Sequence, residues 1–235
     1  MKLFLSFKES IKSNNDVSDK LLLKFLRINN YSLENAVQHF HRYQDARKRQ
    51  AELFEVSEKL KKVYESGSVT VTQTRTSKGE LVLLTRPGLW DPLQYSYHTF
   101  INAICVIVQW ETEDEGVQRN GIVNLIDCTG FGFKHITHFG PLQAKLLGDL
   151  ITKILPVKCN AIHMVNVSKF AKIAYNLTNP FLDTRLRENI HFHGNNYDEL
   201  QQFIDLQVIP HEFGGQCEYS GGSALCEKLL KNSLD

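Results

Sequence analysis

Charge of one sign, paired cysteines and long apolar runs are all scarce in this sequence. Lysine and arginine number 27 against 26 aspartates and glutamates, a formal net charge of +1. Nothing draws the whole chain to a polyanion, no nucleic-acid partner is expected, and phosphate can be held only by a local basic cluster. The cysteines are five, an odd count, at 105, 128, 159, 217 and 226 with no C-x-x-C spacing. That excludes a disulfide framework and leaves reduced, packed thiols. No stretch approaches the ~20 apolar residues of a membrane span. The opening Leu3-Phe4-Leu5-Ser6-Phe7 is cut off by Lys8 and Glu9 before it reaches the ~7–15 residues of a secretory core. The expected location is the cytoplasm. Catalytic signatures are missing too: there is no Walker loop and no G-x-S-x-G elbow, and Gly130-Phe131-Gly132 lacks the third glycine of a dinucleotide turn. An enzyme is not expected, and neither is a cofactor or a metal.

What is present is apolar pattern, with 42% hydrophobic residues over 235, enough to fill a sizeable core. From Val17 to about Tyr64 the period is helical, carried by Leu22, Phe25 and Leu26 and then by Ala36, Val37, Phe40 and Tyr43, with Ser32 placed as an N-cap. The character changes at Gly67. Val69, Val71 and Gln73 alternate with threonines, Ser77-Lys78-Gly79 turns, and Glu80 to Thr85 returns, the pattern of a hairpin. A helix over about 94–113 presents Tyr97, Ile101, Ile104 and Val108 on one face. Residues 120–127 read as a strand apolar on both faces, as in a covered parallel sheet. Pro141 suits the first position of a helix whose face is Leu147, Leu150, Ile151 and Ile154, stopped by Pro156. Ser223 to Leu230 is a short C-terminal helix candidate. Strand and helix alternate, so the class is α/β with mostly parallel strands, behind a helical lobe at 1–66 and continuing over 67–235.

The stretch from Cys159 to Gly194 is a β-α-β unit. An apolar strand, Cys159 to Val167, feeds a helix with Phe170, Ile173, Ala174 and Leu177 at i, i+3, i+4 and i+7; Pro180-Phe181-Leu182 breaks it, and a segment with Arg185 and Arg187 crosses back to a strand at 189–193. The expected shape is a lid, apolar beneath, with Lys169 and Lys172 beside the two arginines above. His191 and His193 share one strand face as ligands would, yet no third ligand accompanies them, and packed histidines are the expectation. Asn124, between Ile122 and Ile126 on a strand face, is costly in a dry core without a partner. Periodicity alone leaves open whether these faces fill one core or enclose a pocket.

As a set, several stretches resemble the CRAL-TRIO lipid-binding family, and within it the branch of tocopherol transfer protein and cellular retinaldehyde-binding protein. They are Leu21 to Arg27, the strand at 120–127, Pro180-Phe181-Leu182, the run Ile190-His191-Phe192-His193-Gly194-Asn195-Asn196-Tyr197, and the loop Pro210 to Gly215. The likeness covers about Val17 to Gly215 and implies a carrier: a helical lobe, then an α/β domain whose deep apolar cavity is closed by a mobile helix. It also implies that part of the lobe's first helices is not in this chain. Carried over residue by residue, it puts Tyr97, Ile101, Ile104 and Val108 against the ligand from the long helix. Ile122, Asn124 and Ile126 join from one strand, and Cys159 and Ile162 from the next. Leu147, Leu150, Ile151 and Leu155 come from the helix between them, and Ala174, Leu177 and Leu182 from the lid. Phe170, Ile173 and Phe181 are the lid's membrane side.

Two departures stand out. Ile104 and Val108 occupy positions where the tocopherol carrier has serines. Of the family's phosphoinositide cluster Lys158 and Arg185 match, Asn29 and Asn189 replace arginines, and Arg187 is a substitute cation. The implied protein is a monomeric cytoplasmic carrier of a tocopherol, retinoid, carotenoid or similar lipid, with transient membrane contact. The alternative is a phosphoinositide- or protein-binding signalling module with a packed interior.

Overall fold

The computed structural model describes residues 2–11, 17–194, 197–217, 227 and 229. All but two residues of the C-terminal helix candidate at 223–230 lie outside them. The first helices are α1 (Lys2–Ser10), α2 (Asp19–Ile28), α3 (Leu33–Arg49) and α4 (Leu60–Glu65). Ser18 and Ser32 cap α2 and α3 by accepting from the backbone N–H of Leu21 and Asn35, satisfying groups a helix start leaves open. Their faces meet in an aromatic cluster in which the Phe25 ring lies 5.4 Å from both Phe40 and Tyr43.

Strands β1 (Val69–Val71) and β2 (Leu81–Thr85) form the antiparallel hairpin. Then come α5 (Tyr97–Glu111), α6 (Glu115–Asn120), β3 (Ile122–Asp127), α7 (Phe133–Ile136), α8 (Pro141–Asp149), β4 (Cys159–Val165), α9 (Lys169–Thr178), α10 (Thr184–Arg187) and β5 (Ile190–Phe192). The sheet order is β1-β2-β3-β4-β5, and β2 to β5 are parallel. Sequential strands joined by right-handed crossovers put their helices on one face of the sheet. Here α5, α8 and α9 cover that face, and the segment at 197–213 covers the other.

Burial follows from this layering. Leu83, Ile122, Ile162 and Met164 belong to the helix-side core, whereas Val82, Leu84, Val123, Leu125 and Val165 pack with Leu200, Ile204, Ile209 and Phe213 behind the sheet. Both faces are covered, which is why the strands read as unbroken apolar runs. The helix-side core continues into the lobe through Phe7, Leu22, Phe25 and Phe40. The Tyr64 hydroxyl donates to the Ala103 carbonyl at 2.8 Å and pins α4 to α5.

Candidate functional site

Between the sheet and α5, α8 and α9 the side chains do not close up, and they leave a cavity of about 160 Å³. The sheet contributes Leu83, Ile122, Asn124, Ile126, Ile162 and Met164. At the end where the parallel strands finish, the wall is aromatic: Trp90, Tyr97, Phe100, Phe131 and Phe139. Trp90 lies 5.5 Å from Tyr97, and Tyr97 lies 5.3 Å from Phe139 with its ring nearly perpendicular, an edge-to-face arrangement. Gly88 permits this corner, since a Cβ there would stand 1.9 Å from the Thr129 carbonyl oxygen. The opposite end is aliphatic, with Val108, Leu155, Val157, Cys159 and Leu182. No Asp, Glu, Lys, Arg or His lines the cavity among the described residues.

Of the ligand contacts expected from sequence, Tyr97, Ile101, Ile104, Val108, Ile122, Asn124, Ile126, Leu147, Ile151, Leu155, Cys159, Ile162, Ala174 and Leu182 face this space. Leu150 and Leu177 do not, and each has a physical reason. A π turn, Leu150–Ile154, follows α8 and is closed by the Leu155 N–H bonding the Leu150 carbonyl at 3.0 Å. The wider turn brings Leu147, Ile151 and Leu155 into line at steps of four, and Leu150 turns into the protein core. On α9 the cavity side is Ala171, Ala174, Tyr175 and Thr178, at i, i+3, i+4 and i+7. Leu177 lies on the stripe with Phe170 and Ile173, about 100° round the helix. This stripe faces α7 and solvent: Phe170 packs on Phe133 at 6.2 Å, and Ile173 is 46% exposed.

Of the inward side of α9 the sequence reading named only Ala174, of the aromatic corner only Tyr97, and it missed the β2 residues Leu83 and Thr85. Small residues at helical spacing, Ala171, Ala174 and Thr178, were the available signal for open space. Phe181 sits against Gly148, where an added Cβ would come within 2.5 Å of the Phe181 Cβ. A close approach of this kind requires glycine.

The polar groups in the wall are few. Thr85 Oγ1 donates to Asn124 Oδ1 at 3.2 Å, and Thr178 Oγ1 donates to the Ala174 carbonyl. The Tyr97 hydroxyl is buried with no hydrogen-bond partner; burial pushes the phenol well above its usual pKa, with Cys105 adding to the shift. Burial also pushes the Cys128 and Cys159 thiols up to about 12, so neither is a ready nucleophile. Cys105, Cys128 and Cys159 are free and, like Cys217, buried.

Lys169 and Lys172 do not stand beside the two arginines as expected. Arg185 Nη2 donates to the Cys159 carbonyl at 3.0 Å and Lys158 Nζ to Asn30 Oδ1 at 3.4 Å, so both sit where β4 begins. Arg187 bonds back to Thr184. Lys169 starts α9 just after β4 ends, so the lysines of that helix belong to the other end of the strand. Asn29 and Asn189 are engaged locally, donating to the carbonyls of Phe25 and Arg185.

His191 and His193 do share a face and gain a third histidine from β4, which the spacing did not reveal. His163 Nδ1 lies 2.9 Å from His193 Nε2, and the His163 ring stacks on both, 5.0 and 5.2 Å away. Stacked rings point their nitrogens sideways. Among the described residues no group of three His, Cys, Asp or Glu is arranged to hold a metal, and no helix is long and apolar enough to cross a membrane.

A mostly parallel sheet with helices on one face around an uncharged apolar cavity defines an α/β protein with an apolar space in its interior. Residues 65–215 match the CRAL/TRIO domain model, and the chain belongs to that family. It is 30% identical over 210 residues to the alpha-tocopherol transfer protein-like protein of Homo sapiens, covering 88% of this chain and 61% of that one. It is 28% identical over 201 residues to clavesin-1 of Rattus norvegicus, covering 84% and 57%. The chain thus spans about three-fifths of the length of these relatives. Among solved structures, Sfh5 superimposes with a TM-score of 0.52 at 16% identity, covering 95% of this chain and 83% of that one, a likeness of fold.

Proposed function

We propose that this chain is a carrier that binds one small hydrophobic molecule in the cavity and exchanges it with membranes. The observation that carries the reading is the cavity itself: apolar on nearly every side, without a charged side chain in its lining among the described residues, and covered by α5, α8 and the ten-residue α9. Protein interiors are otherwise close-packed. A ligand burying about 400 Å² of apolar surface gains on the order of 10 kcal/mol before the entropic costs of binding. No covalent chemistry is needed.

The cavity volume of about 160 Å³ is close to the ~150 Å³ that accommodates a benzene-sized molecule. A lipid tail therefore enters only when the roof moves, and α9 with the 3₁₀ turn Asn179–Phe181 is the element to move. A membrane favours the open form only by binding it better. Support for such contact comes from Phe133, Leu142 and Ile173, which are 68, 80 and 46% exposed on α7, α8 and α9, the outer side of the roof. Lys158 and Arg185 at the opposite end of β4 add attraction to an anionic surface, ~1 kcal/mol for each cation. Recognition of a phosphoinositide headgroup rests on the Arg185 fork, which grips two phosphate oxygens.

The test is vesicle-to-vesicle transfer of a fluorescent hydrophobic probe. Catalysis proportional to protein concentration is expected, and a rate no faster than spontaneous transfer contradicts the reading.

A further inference from the structure

The wall contains one polar pair that nothing in the fold requires. Asn124 is the middle residue of three on the cavity face of β3, opposite Leu83 and Ile162 in neighbouring strands. It is only half-buried although its strand is central in the sheet, because its side chain opens on the cavity. The Thr85 hydroxyl takes up its Oδ1, and its Nδ2 has no protein partner among the described residues. Whichever way the amide is turned, one polar atom meets Thr85 and the other faces the cavity. A second group, the Tyr97 hydroxyl, lines the same cavity buried and without a partner. Because burial keeps that phenol neutral, it remains able to donate. Polar groups buried without partners are rare in native proteins, and each calls for a partner from elsewhere.

We propose that the Thr85–Asn124 pair selects the ligand: a neutral lipid carrying a hydroxyl or carbonyl oxygen that completes the amide's hydrogen bonds, in preference to a pure hydrocarbon or an ionised lipid. This rests on the carrier reading above and narrows it. A hydrocarbon leaves the amide unpaired, and sites built to hydrogen-bond discriminate strongly against analogues lacking the group. A carboxylate or phosphate enters a space with no cation in its wall, where burying an unpaired charge is prohibitive. Asn124 lies between the aromatic and the aliphatic end, so the oxygen sits within the body of the ligand's path.

Three chain-matched C20 probes separate these classes: phytane, phytol and phytanic acid, each competing at pH 7.5 against diphenylhexatriene, whose fluorescence rises on entering an apolar site. Wild type should be displaced by phytol at a concentration about ten-fold or more below that needed for phytane or phytanate. Asn124→Leu should bring phytol and phytane within about two-fold of each other. Thr85→Val, which frees the amide oxygen, should alter the same ratio and serves if the leucine variant does not fold. Equal displacement by phytol and phytane in wild type overturns the proposal and leaves the carrier standing. So does a ratio unchanged in both variants, or phytanate binding as tightly as phytol. No uptake of diphenylhexatriene by wild type overturns the carrier reading and this one with it.

Discussion

Ala171, Ala174 and Thr178 matter because they are small. A helix that turns three short side chains toward a sheet leaves the space that larger ones would fill, and Tyr175 alone reaches in from the same side. Ala174→Trp should occupy that space and abolish uptake of diphenylhexatriene, with urea denaturation checking that the protein remains folded. Leu150 gives the opposite case: it is 2% exposed and lies in the core off the cavity. Leu150→Ala should cost about 2–5 kcal/mol of stability by the usual large-to-small penalty and leave probe uptake intact in the absence of denaturant. If Leu150→Ala abolished uptake and Ala174→Trp did not, the assignment of faces would be reversed.

The elements themselves were largely legible in the chain. The hairpin, the parallel strands, Pro141 as a first helical residue and the Ser32 cap all follow from period-2 and period-3.6 patterns with their usual stop signals, and each is seen in the fold. The orientation of α9 was not. Its largest apolar residues, Phe170, Ile173 and Leu177, make the stripe that burial arguments select first, but a helix over a void needs no large residues inward. The π turn after α8 was equally hidden, because hydrogen-bond register leaves no trace in hydrophobic spacing. At this scale Phe181→Asp should slow probe transfer between vesicles several-fold while equilibrium affinity stays nearly unchanged, since Phe181 packs on Gly148 rather than in the cavity wall; equal transfer rates would remove Phe181 from the exchange step.

The histidine stack between β4 and β5 predicts an acid response. Burial, then His193, His191 and Lys78, hold His163 down to about 3, and burial lowers His193 against the pull of Glu199. A histidine depressed in the fold binds its proton more readily when unfolded. Stability is therefore fully present above about pH 6.5, the unfolded value, and is lost as pH falls toward 3. The slope for His163 is at most about 1.4 kcal/mol per pH unit. The melting temperature should drop between pH 7 and 5, and less so in His163→Gln; an equal drop in both would place the acid sensitivity elsewhere.

For the whole molecule, the proposed exchange would have the basic residues and the cavity make separate demands on a membrane. Lys158 and Arg185 stand at the start of β4 and the exposed apolar residues Phe133, Leu142 and Ile173 lie around the roof, so recruitment by charge and opening by apolar contact are separable. Arg185→Lys keeps the charge and removes the planar fork. It should weaken binding to vesicles containing a doubly phosphorylated phosphoinositide more than to phosphatidylserine vesicles of equal charge; equal weakening would leave only a generic basic surface. The carrier function itself stands or falls on whether the cavity is ever filled. Native mass spectrometry of the delipidated chain, incubated with phytol and freed of excess by gel filtration, measures this directly. One phytol per chain, absent from Ala174→Trp, is the expected spectrum, and a chain that stays empty at every phytol concentration would contradict a carrier.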